Sequence, residues 1–259
     1  MKTLPTRVTP ALKALLEGFI DYAGCFPPAS VPLDTAVKNY KDYSTCEFFW
    51  MLHWLVISAN SLNDVPEALN GKISLLAESD NERAAALETR GIVQAARPVY
   101  CEVAVNNLEQ LAAVQNAGCF AKIRMGGVTA DAIPAPDAVA AFILECARLR
   151  LPFKATAGLH HPIRATQPLT YEENAPKAVM HGFLNVLTAA AFAWHGDHNI
   201  EEILTETDAS AFKFDELAHY KDRSLTAQQV RAARKEFIHS IGSCSFDEPL
   251  ADLEALELI

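Results

Sequence analysis

No apolar run in this chain of 259 residues reaches the ~18 residues that a membrane-spanning helix requires. The opening segment MKTLPTRVTP lacks the apolar stretch that forms the heart of a leader peptide. The six cysteines, Cys25, Cys46, Cys101, Cys119, Cys146 and Cys244, are scattered without a CxxC pair. That removes the commonest zinc and dithiol spacings and fits small buried thiols in a reducing compartment. A soluble cytoplasmic chain with no membrane partner is therefore expected. There is no block of Lys and Arg, and acids outnumber bases 32 to 22, for a formal net charge of −10. Such a chain repels polyanions, which argues against nucleic acid as a partner. A small anionic substrate stays compatible, because a local pocket need not share the sign of the whole. No linker rich in Gly, Pro or Ser and no low-complexity segment interrupts the chain, so a single domain spanning 1–259 is expected. A homo-oligomer is compatible with these totals, and no cofactor is implied.

What is present is an ordinary globular composition, 50 % hydrophobic and 21 % charged, with enough apolar surface for a substantial core. A short N-terminal helix is predicted at TPALKALLEGF, with a threonine cap and a proline in its first turn. Strands are predicted at FIDYAG, EFFWMLHWLVIS, KISLLAE, VYCEVAV, CFAKIRMGG, PFKATAGL, SAFKFDE and IHSIGSCS. Helices are predicted between them, including DNERAAALETR, NNLEQLAAVQNAG and PAPDAVAAFILECARLR. In the last of these Val139, Phe142, Ile143 and Cys146 share one face of a 3.6-residue period. Thr226 and Gln229 form a capping-box pattern ahead of AQQVRAARKEF. Alternation of this kind, in a chain of this length, predicts an α/β fold: a closed (β/α)₈ TIM barrel rather than an open sheet. Residues 160–179 make a connection longer than the architecture needs, and a lid or binding loop is expected there.

In such barrels the chemistry sits at the C-terminal ends of the strands. Alternation along CFAKIRMGG sends Phe120, Lys122, Arg124 and Gly126 to one face and Ala121, Ile123 and Met125 to the other. The apolar set suits the helix-covered exterior, so Lys122 and Arg124 point inward. By the same parity Lys154, Thr156 and Gly158 of PFKATAG point inward, and Glu102 ends the preceding strand. Burial and a neighbouring cation both lower a lysine pKa, so a partly neutral amine able to form a Schiff base is expected. The simpler alternative is that Lys154 pairs with Glu102 or Glu78 and serves only the barrel.

The segments KIRMGG, FKATAG and SIGSCS resemble lysine-bearing strands and the last-strand phosphate loop of class I aldolases, most of all the deoxyribose-phosphate aldolase group. In that group the earlier of the two lysine strands carries the Schiff base, which would point to Lys122, whereas the FKATAG match points to Lys154. The segments DYAGCFPPA, KATAGLHHP and GSCSFDEP are also similar to an uncharacterised bacterial family, a likeness that implies no chemistry. The expectation is an aldolase-type lyase acting on a small oxo acid or sugar phosphate. Lys154 is preferred as nucleophile and Lys122 is second, with Glu102, Asp21, His160 or His161 moving protons. Arg124, Gly126, Gly127, Thr156, His181, Asn185 and the turn Gly242, Ser243 and Ser245 would bind the substrate, the turn through backbone N–H groups at a helix N-terminus. The alternative for that segment is a tight turn capped by Asp247.

Two alternatives stand beside it. His160, His161 and His181 form the densest histidine group and, with Glu102 or Asp215, could serve a metal-dependent barrel hydrolase or isomerase, although no HExxH or HxH spacing occurs. A barrel that only binds a small anion is the other.

Overall fold

The computed structural model describes residues 8–259, so Met1–Arg7, on which part of the leader reading falls, lie outside the described residues. Helix α1 (Pro10–Leu16) starts as its sequence dictates. Pro10 takes a first-turn position where its missing N–H costs nothing, and Thr9 Oγ1 accepts from the Leu12 N–H at 3.5 Å. Strand β1 (Ile20–Tyr22), helix α2 (Leu33–Tyr43) and strand β2 (Leu52–Ser58) follow, then three strands in quick succession: β3 (Ile73–Leu76), β4 (Ala86–Thr89) and β5 (Val99–Glu102). Regular alternation resumes with α3 (Glu109–Asn116), β6 (Phe120–Arg124), α4 (Pro136–Leu149) and β7 (Phe153–Thr156). A hairpin of β8 (Ala165–Pro168) and β9 (Lys177–Met180) leads into α5 (Phe183–Trp194) and α6 (Glu201–Thr205). A small antiparallel sheet of β10 (Phe212–Phe214), β11 (Leu217–Tyr220) and β12 (Arg223–Thr226) precedes α7 (Ala227–Glu236), β13 (Ile238–Ser243) and α8 (Asp247–Ala255).

Eight of these strands close into a parallel barrel in the order β1-β13-β7-β6-β5-β4-β3-β2, with β1 hydrogen-bonded to β2. The α/β barrel expected from the sequence is present, with two changes of membership. Within DNERAAALETR, read as a helix, the residues Ala86–Thr89 are barrel strand β4. Three alanines and a leucine give that stretch a high helix propensity. Pairing on both sides, with β3 and β5, buries Ala86 and Leu87 completely and overrides the local preference. SAFKFDE, counted as a barrel strand, instead pairs antiparallel with β11 outside the barrel. Its alternation satisfies the small sheet, with Phe212 buried and Lys213 exposed. The long strand read from EFFWMLHWLVIS begins only at Leu52, because Phe49–Met51 form a 3₁₀ turn.

The helices pack where their apolar faces require. On α4 the face Val139, Phe142, Ile143 and Cys146 is fully buried, and each large apolar side chain so placed contributes ~1.5–3 kcal/mol. Helix α5 is buried on every side from Phe183 to Ala193, held among α4, α6 and α7. The capping box of α7 is complete: the Gln229 N–H donates to Thr226 Oγ1 at 3.2 Å and the Thr226 N–H to Gln229 Oε1 at 2.9 Å. Among the described residues no helix is long and apolar enough to cross a membrane.

Strands β6 and β7 run into glycine turns that touch. Gly158 has φ +70°, and a Cβ on it would stand 2.9 Å from Gly126 Cα. Only glycine fits there without strain. Gly158→Ala is expected to cost about 1–3 kcal/mol, read as a lower urea midpoint with an unchanged m value.

Candidate active site

Strand register sets the site. Lys122 of β6 lies opposite Lys154 of β7 on one side and Glu102 of β5 on the other, and Arg124 is opposite Thr156. Both lysines project into the barrel, as the parity of their strands demands. There they meet carboxylates from the far wall. Lys154 Nζ is bonded to Asp21 Oδ2 of β1 and lies 2.7 Å from Glu88 Oε1 of β4. Glu88 Oε2 is 3.3 Å from Lys122 Nζ, whose second partner is Glu102 Oε2 at 3.1 Å. Hydroxyls complete the set: Ser240 donates to Asp21 Oδ2 at 2.6 Å and Ser74 to Glu88 Oε1 at 2.8 Å.

Lys154, Asp21 and Glu88 are buried. Burial alone would drive each toward its neutral form. For Lys154 the attraction of Asp21 and Glu88 more than offsets that loss of hydration and raises its pKa. For Asp21 burial is overcome by Lys154 and then His53, and for Glu88 by Lys154 and then Lys122, so both carboxyls are held below their ordinary range. Lys154 is therefore an ammonium fixed between two carboxylates, which corrects the expectation of a partly neutral amine. Its partners are also not the Glu102 or Glu78 of the simpler alternative. Glu102 belongs to Lys122, and Glu78 accepts from the Arg90 N–H.

The ion chain runs toward both mouths. At the N-terminal end His53, near the start of β2, places Nδ1 2.7 Å from Asp21 Oδ1, and the Trp54 N–H donates to the same oxygen at 3.2 Å. Beside it His239 Nδ1 lies 2.7 Å from the Tyr100 hydroxyl. Burial, then repulsion from Arg234, pushes the His239 pKa down to about 4. A histidine held neutral in this way stabilises the fold above its unfolded value of 6.5 and progressively less as pH falls toward 4. Its share of the folding equilibrium is expected to shrink up to about tenfold per pH unit in that window. Urea midpoints from pH 7 to 4, shallower in slope for His239→Asn, check this.

At the C-terminal end the strands open into a cavity of about 320 Å³. Lys122, Glu88, Arg124, Gly127, Thr156, Gly158, His160, His161 and Gly242 line it, and Lys154 does not. Arg124 is exposed, and its guanidinium has no hydrogen-bond or ion-pair partner among the described residues. The hairpin β8–β9 lies over the opening, with Leu169, Thr170, Tyr171 and Met180 on the cavity wall, in the stretch whose length marked it as a lid. Tyr171 ties it down by donating to Glu248 Oε2 at 2.9 Å. His160 is buried between Ser243 Oγ, 3.4 Å from Nδ1, and Glu248 Oε2 at 3.5 Å. Burial lowers its pKa more than the neighbouring Glu248 raises it. His161 Nδ1 lies 2.6 Å from Asp252 Oδ2.

Other candidates lie apart. Asp21 sits inside the barrel rather than at its mouth. Gly126 packs on Gly158 behind the cavity wall. Asn185 ties segments together, accepting from the Arg164 N–H at 2.9 Å and donating to Ile203 O at 2.7 Å. His181 Nε2 is turned to Pro134 O at 2.8 Å, away from His160 and His161. Asp215 contacts His219 in the outer sheet. Among the described residues no group of three His, Cys, Asp or Glu side chains is disposed to hold a metal ion. The turn at α8 is capped by Ser245, whose Oγ accepts from the Glu248 N–H at 3.0 Å, while Asp247, the alternative cap, accepts from the Tyr43 hydroxyl at 2.6 Å.

The sequence reading missed Glu88 and His53. The signal for Glu88 was the pair of short links on either side of ALET, which leave no room for crossover helices. His53 carries no such signal. Compared with models of protein families, with curated proteins and with solved structures, the chain matches none.

Proposed function

We propose that the barrel is an aldolase-type lyase working through a Schiff base on Lys122. The observation that carries this reading is the division of labour between the two lysines. Lys122 lies on the cavity floor, whereas Lys154 is out of reach and spent on Asp21 and Glu88. Lys154, preferred from the FKATAG resemblance, becomes the positioning residue. Its ammonium fixes Glu88, and Glu88 orients the Lys122 amine.

The chemistry then follows from position. Glu102, 3.1 Å from Lys122 Nζ and partly exposed, takes the proton that the amine must lose before it attacks a carbonyl carbon. The carbonyl oxygen leaves as water, with His160 placed on the wall to exchange the protons. When the substrate hydroxyl beta to the iminium carbon gives its proton to His160, the C–C bond breaks, the distal fragment leaves as an aldehyde, and the electron pair passes to the iminium, which becomes an enamine. Protonation of its carbon and attack of water then free the product and the amine.

Borohydride reduction in the presence of small oxo compounds, followed by peptide mapping, tests the reading. A reduced adduct on Lys122 is expected. An adduct on Lys154 would reverse the assignment, and no adduct on either would leave a barrel that only binds anions.

A further inference from the structure

We infer that the substrate is a 2-oxo acid whose aliphatic chain carries only the one hydroxyl that cleavage requires, rather than a sugar phosphate, its carboxylate held by Arg124 and its hydrocarbon body enclosed beneath the hairpin. This rests on the Lys122 reading and narrows it.

The first ground is charge. A phosphate monoester brings nearly two negative charges and wants several N–H donors. The helix terminus nearest the cavity is occupied by its own chain. The Ser245 N–H donates to Ser243 Oγ at 3.3 Å, and Ser245 Oγ caps the Glu248 N–H. The Glu248 carboxylate itself stands on the cavity wall, where it repels a second anionic charge. Lys122 already faces Glu88 and Glu102. Arg124 is the cation left over, and it matches one carboxylate.

The second ground is the wall. Much of the cavity wall is hydrocarbon, including Phe26 and Pro28 from the loop after β1 and Leu169 and Met180 from the hairpin. A polyhydroxylated chain would bury hydroxyls there without partners. The hairpin adds two hydroxyls: that of Tyr171 is committed to Glu248, whereas that of Thr170 is buried and has no partner among the described residues, one donor for one further oxygen. The volume of about 320 Å³ lies at the small end of ligand cavities, ~300–1,000 Å³.

The experiment measures borohydride trapping on Lys122 with pyruvate, 2-oxohexanoate, 2-hexanone, ribose 5-phosphate and glyceraldehyde 3-phosphate, alongside calorimetric titration of 2-oxohexanoate without reductant. Expected is about tenfold or faster trapping of 2-oxohexanoate over pyruvate and over either phosphate, and a preference for the acid over the ketone that collapses in Arg124→Gln. Trapping on Lys122 that favours a phosphate, or that ignores chain length, overturns the substrate class and leaves the lysine reading standing. No adduct with any carbonyl, but calorimetric binding of 2-oxohexanoate that Arg124→Gln abolishes, overturns the lysine reading and supports the acid-plus-hydrocarbon class. Neither adduct nor binding overturns both.

Discussion

Lys122→Ala is expected to abolish the reduced adduct and to lower turnover of any substrate that forms it by ~10³-fold or more, the scale of losing a covalent nucleophile. The alanine variant also leaves Glu88 with one ammonium instead of two and strands Glu102, so its stability will fall as well. Lys122→Arg separates the two effects. A guanidinium keeps a cation between Glu88 and Glu102, yet it has no deprotonated amine to offer a carbonyl. Its adduct should be missing while its urea midpoint stays near that of the wild type. If Lys122→Arg still yields the adduct, the nucleophile lies elsewhere in the barrel. Retention of the adduct in Lys122→Ala would mean the same.

Lys154→Met is expected to cost the fold about 3–5 kcal/mol, because it removes the cation of a buried cluster and leaves two carboxylates facing each other. The pH dependence tells this from a packing defect. In the wild type the carboxyls of Asp21 and Glu88 sit below their ordinary 3.8 and 4.5. The unfolded chain therefore takes up protons first as pH falls, and their stabilisation, full above those ordinary values, is lost on the acid side. The contribution of Lys154, raised above 10.5, is full below that value and is lost only on the alkaline side. In Lys154→Met burial acts on Asp21 without its main counter-charge, and its carboxyl moves above the unfolded value. Protonation then relieves the variant while it weakens the wild type. The gap between their urea midpoints should narrow steadily from pH 7 to 4, and a gap independent of pH would show that Lys154 matters only as bulk. In a double-mutant cycle, Asp21→Asn combined with Lys154→Met should cost less than the two separate losses added together.

The ion cluster also explains which parts of the site were legible in the chain. Inward parity for Lys122, Arg124, Lys154 and Thr156 follows from alternation along two strands, because an apolar outer set leaves the polar set nowhere else to point. That Lys122 and Lys154 lie side by side follows from a single helical crossover between consecutive parallel strands. The long connection was legible as length alone, in the twenty residues 160–179, although its folding into a hairpin latched by Tyr171 was not. Glu88 was hidden inside an alanine-rich stretch whose local preference is helical, and the short links on either side were the hint along the chain that β3 and β5 flank it.

What the sequence determined by itself is therefore the closed parallel barrel, the inward lysines and the glycine turn at Gly158, since each depends on periodicity or on backbone freedom within a few residues. Only the tertiary structure decided which lysine can be reached and which is neutralised. That outcome depends on Asp21, His53, Glu88 and Ser240, which four separate strands bring to the barrel axis. Electrostatic balance in a buried cluster is a property of distances across the fold, and those distances have no counterpart in the spacing of residues along the chain.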